Sequence, residues 1–72
     1  MDAIAQEKVK RVLQGELKYT STNLAFNMLI TKMQRKLKSD PQSMESCMNE
    51  MDMFFAKYPI VAKVDLANIA AL

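Results

Sequence analysis

The stretch Met44-Glu45-Ser46-Cys47-Met48-Asn49-Glu50-Met51-Asp52-Met53-Phe54-Phe55-Ala56-Lys57-Tyr58 decides the fold class. Written as heptads from Met44 at position a, it places Met44, Met51 and Tyr58 at a. Cys47 and Phe54 fall at d, and Met48 and Phe55 at e. Apart from Met53, the other positions are polar or small. A stripe this broad belongs to a helix lying on a core or bundle, because a coiled-coil seam would be confined to a and d. The segment after Asp40 is therefore expected to be helical to about Tyr58.

Upstream lies the sharpest boundary in the chain, Ser39-Asp40-Pro41. Proline suits the first position of a helix, where its missing N–H is not needed, and Asp40 can cap behind it. Pro41 also drives Asp40 out of the α region, so the preceding helix stops by Ser39. A join this short makes the helices on either side antiparallel neighbours. The preceding helix is expected over residues 23–38, behind the capping cluster Thr20-Ser21-Thr22-Asn23. Phe26, Ile30, Met33 and Leu37 form its core face. Leu24 and Met28 lie about 160° from Phe26, so its first half is apolar nearly all round.

A first helix is expected over residues 3–18, capped by Asp2, with Ala5, Val9, Val12, Leu13 and Leu17 as its stripe. Gly15 could end it a turn early by adopting a left-handed angle. Leu17 keeps the stripe in phase, which favours continuation to about Lys18. Residues 60–72 carry only Lys63 and Asp65 as charges. Ile60, Val61 and Val64 suit an extended start, and Asp65 could cap a short helix over residues 66–72. The expected architecture is a single all-α domain, a three-helix bundle with an antiparallel pair of helices two and three, and a short fourth helix as an option.

Composition narrows the functions. A chain of 72 residues hides only about 60% of the surface its unfolded form exposes, so its core is marginal. One cysteine and no histidine leave neither an internal disulfide nor a zinc ligand set. Without histidine there is no imidazole base, and a single glycine makes no phosphate loop, so no enzyme is expected. Cys47 has no cationic helical neighbour and is read as a small core residue. The methionines are read as core fillers, although such side chains also suit surfaces that accept helices. No cofactor or metal is expected; Met51-x-Met53 points two ways on a helix and makes no copper site. No apolar leader follows Met1-Asp2-Ala3 and no window is apolar enough to span a bilayer, so a cytoplasmic location is expected.

Two functions remain. Helix two carries more apolar surface than two neighbouring helices can cover, and the tail is apolar as well. These point to a non-catalytic interaction or accessory protein that buries Leu24, Met28, Ile69 and Leu72 against a second copy of itself or another protein. The alternative is a non-specific nucleic-acid binder using Lys8, Arg11 and Lys18 with Lys32, Arg35, Lys36 and Lys38. Against it, the net charge is only +2, no aromatic residue interleaves the cluster, and cations near a helix C-terminus also complement its dipole. A DNA-reading helix three would bring Asp40, Glu45 and Glu50 to the phosphates, which repel them.

Overall fold

A computed structural model describes residues 3–72, and the expected Asp2 cap lies outside the described residues. Among the described residues the chain is all-α, with four helices and no strand: α1 (Ala3–Leu13), α2 (Leu24–Ser39), α3 (Met44–Lys57) and α4 (Pro59–Ala70). α1 packs against α4, α2 and α3, and α3 packs against α4.

The first helix ends four to five residues before the expected boundary. Gly15 takes φ +81°, and its N–H donates to Val12 O at 3.0 Å, while Glu16 N–H reaches back to Arg11 O at 2.8 Å. These two bonds form a Schellman cap, which needs a left-handed residue where only glycine sits without strain. The Arg11–Glu16 ion pair at 3.4 Å bridges the ends of the same turn. Leu17 still packs on the core, but from the loop. Apolar phase therefore did not distinguish a helical Leu17 from one delivered by a loop. An added Cβ on Gly15 would meet nothing within 4 Å, so Gly15→Ala should cost only the left-handed backbone penalty, about 1–2 kcal/mol. Urea unfolding would show this as a lower midpoint with unchanged slope.

Asn23 caps α2 by accepting from Phe26 N–H at 3.0 Å, and Ser21 Oγ accepts from Asn23 N–H at 3.0 Å. At the other end Asp40 N–H donates to Lys36 O, and the Asp40 carboxylate accepts from Gln42 N–H. Asp40 and Pro41 therefore start a helical turn as expected, but that turn is a 3-10 turn, Pro41–Ser43, and α3 follows it. The expected stripe of α3 is the buried one. Cys47, Met51 and Phe55 are buried, and Met44, Met48 and Phe54 are half-buried against the core. Tyr58 stays largely exposed at the helix end.

Residues 60–72 depart most from expectation. Pro59 closes α3 and at once opens α4, a twelve-residue helix with no extended lead. Proline at the first helical position carries no penalty, and Ala62, Asp65 and Ile69 are buried at helical spacing. Burial of that face outweighs the weak strand preference of Ile60, Val61 and Val64. Asp65 is thus not a cap; it lies inside the helix at 1% exposure.

The core centres on Phe26. Its ring stacks on Phe55 (centroids 5.9 Å, 18°), tilts against Phe54 and meets Tyr19 in a T-shaped pair. Phe54 also meets Tyr58 at 5.0 Å. All five aromatic residues of the chain belong to this one cluster, which joins the start of α2 to the end of α3.

Candidate interaction surface

The core face of α2 fixes what its other side presents. With Phe26, Ile30 and Met33 fully buried, 100° per residue carries Leu24, Met28 and Arg35 outward within about 40° of one another. Leu24 is 73% exposed and Met28 65%. Beside them runs an open groove of roughly 750 Å³, lined by Ala25, Leu29 and Phe54 at the apolar end and by Thr31, Lys32 and Arg35 at the other. Leu29 and Phe54 are half-buried and form its inner wall.

Of the four residues expected to meet a partner, two occupy this face and two do not. Ile69 is fully buried, and Leu72 is half-buried against the core. Both face inward because α4 is a complete helix packed on α1, so the tail has a home within the chain. The apolar groups that α4 leaves outside are Ile60 and Val64, 81% and 57% exposed. The apolar sequence of α4 on most sides gave no phase by which to tell these faces apart.

The seven basic residues are not assembled into one face. Lys18 falls in the loop after the Gly15 cap, off the helix on which it was expected to align with Lys8 and Arg11. Lys8 Nζ donates to Leu72 O at 3.2 Å. Arg11 pairs with Glu16, and Lys36 pairs with Glu50 at 3.4 Å while also reaching Ser46 Oγ. Glu50 of the following helix thus neutralises Lys36 near the α2 end. Among the described residues, Lys32, Arg35 and Lys38 take part in no ion pair, and two of these three border the groove.

Sequence reasoning missed one polar feature. Ser21 Oγ–H donates to Asp65 Oδ1 across 44 residues, with both side chains buried. Among the described residues Asp65 Oδ2 has no hydrogen-bond partner. This contact ties the loop before α2 to the middle of α4. A lone Asp in an apolar run resembles a cap, and its partner is remote in sequence, so no local pattern signals the pair. Cys47 is fully buried, with Ser43 Oγ 4.0 Å from its sulfur. Among the described residues no cluster of three metal-binding side chains occurs, and no helix is long and apolar enough to cross a membrane. Comparison with protein-family models, with curated proteins and with solved structures yields no match to this chain.

Proposed function

We infer that this chain is a non-catalytic interaction protein, an accessory or regulatory subunit that binds through the outward face of α2. The observation that carries this is the pair Leu24 and Met28, exposed one turn apart beside a groove walled by Leu29 and Phe54. Single exposed apolar residues are ordinary, but an i, i+4 pair beside a concave wall is the form in which helices receive helices. An antiparallel α2/α3 pair would supply the rigid floor for such docking. A second copy of the chain is the simplest occupant, through a two-fold contact of α2 on α2, and another protein is the alternative.

Sedimentation of the purified chain and of a Met28→Glu variant tests self-association through this face. A two-fold contact puts Met28 against its own copy, so the variant would bring two like charges together in an apolar seam. The expected result is a concentration-dependent dimer for the parent and a dimer at least tenfold weaker in the variant, with unchanged helical content. Identical dimerisation of the two chains would remove this face from the contact.

A further inference from the structure

The charge pattern of the groove bears on which occupant it takes. Resting on the interaction reading above, we propose that its ligand is an acidic amphipathic helix from another protein, lying antiparallel to α2 with carboxylates against Lys32 and Arg35 and large apolar side chains over Met28 and Leu24.

α2 contains no acidic residue in sixteen positions. Its outward line passes from Leu24 and Met28 to Arg35, with Lys32 on the groove wall. Neither cation is paired among the described residues, whereas Lys36, one position beyond Arg35, is held by Glu50. Among the described residues Lys38 is unpaired as well, so what sets Lys32 and Arg35 apart is their place on the groove. A second copy docked through the same face would leave Lys32 and Arg35 without carboxylates, since α2 offers none, so a helix of opposite charge should displace it. An acidic partner supplies what is missing. Such complementarity sets partner choice more than affinity, because like-charged competitors are turned away.

Direction follows from the dipole of the ligand. Acidic residues are most favourable in the first turn of a helix. Placing that turn beside Arg35 makes the ligand run antiparallel to α2. Arg35 lies about 10 Å along the axis from Met28 and about 16 Å from Leu24. The ligand should thus carry carboxylates in its first one or two turns and bulky apolar groups two and three turns after its start.

A stapled helix of about 16 residues with this pattern serves as the probe, since an unstapled one would be mostly unfolded alone. Its binding to the intact chain is measured by fluorescence anisotropy beside a twin with Gln for each Glu. The acidic helix should bind on the order of tenfold tighter than the twin at low salt, and the gap should narrow as salt rises. Joint Lys32→Glu and Arg35→Glu changes should abolish that preference and transfer it to a third helix bearing Lys at the same positions. These positions are exposed, so the variant keeps its fold, which circular dichroism verifies. Equal binding of the acidic helix and its twin, or no transfer on charge reversal, overturns the proposal. So does tighter binding of a single-stranded RNA of matching charge at the same two residues, which would make the cations a phosphate site. If no helix binds while Leu24 and Met28 support dimers, the acidic ligand falls and the interaction reading stands. If no helix binds and the chain stays monomeric, both fall.

Discussion

Phe26→Ala should remove a large share of the chain's stability. Phe26 is fully buried and contacts three of the other four aromatic rings, from the loop before α2 and from the end of α3. Truncating a phenylalanine in such a site costs about 3–5 kcal/mol, from lost transfer energy and the cavity that remains. Its stacked and edge-on partners raise the figure towards the upper end. A domain of this length has about 4–11 kcal/mol of total stability. Urea titration followed by far-UV circular dichroism would register the change as a much lower midpoint. Met53→Ala is the control: its side chain is 72% exposed on the same helix as Phe55 and should shift stability by no more than about 0.5 kcal/mol. Equal effects of the two would mean that the ring cluster is not the centre of the fold.

Ser21→Ala should cost on the order of 3 kcal/mol, more than the loss of one hydroxyl suggests. Among the described residues the hydroxyl donates the one hydrogen bond to the buried Asp65 carboxyl, whose other oxygen has no partner there. Removing the donor leaves both oxygens of a polar group unsatisfied inside the protein, and that desolvation dominates over the modest net value of the bond. The freed Asn23 N–H is partly accessible to water and adds little. Replacing both residues together, Ser21→Ala with Asp65→Leu, removes the orphaned group and should recover most of the loss. A thermal melt of a chain this size would fall by roughly 12–24 °C for the single change. The double change would show a large coupling in a mutant cycle. Strictly additive effects of the two substitutions would mean that the pair is not in contact.

How far the sequence foretold this molecule depended on the kind of signal. Where an apolar stripe had polar residues between its members, the buried face followed directly: Ala5, Val9, Val12 and Leu13 on α1, Phe26, Ile30 and Met33 on α2, Cys47, Met51 and Phe55 on α3. Asp40-Pro41 marked a boundary because proline chemistry is local. Three things escaped. Gly15 allowed two outcomes, and the energy between them lay in backbone bonds to Arg11 and Val12 that residue type does not encode. α4 had too few polar residues to set a phase, so Ile69 was expected outside while Ile60 and Val64 took that place. Asp65 found its partner in Ser21, on the far side of two helices.

The same contrast applies to the candidate surface. Leu24 and Met28 were legible because they sit opposite a well-marked core face. The groove beside them was not, because Phe54 reaches it from α3 and was itself expected within the core stripe. Nor did the basic run reveal that Lys36 would be neutralised while Lys32 and Arg35 would not. Only the contacts of Lys36 with Glu50 and Ser46 of α3 separate them.

The methionine methyl groups offer the most direct measurement. With 13C-methyl labels, Met28 on the outward face of α2 and Met53 on α3 are similarly exposed reporters, while Met33 and Met51 report on the buried core. Titrating the stapled acidic helix should shift and broaden the Met28 signal while leaving Met53, Met33 and Met51 in place. An unmoved Met28 at saturating ligand, or equal movement of Met28 and Met53, would contradict the assignment of binding to the outer face of α2.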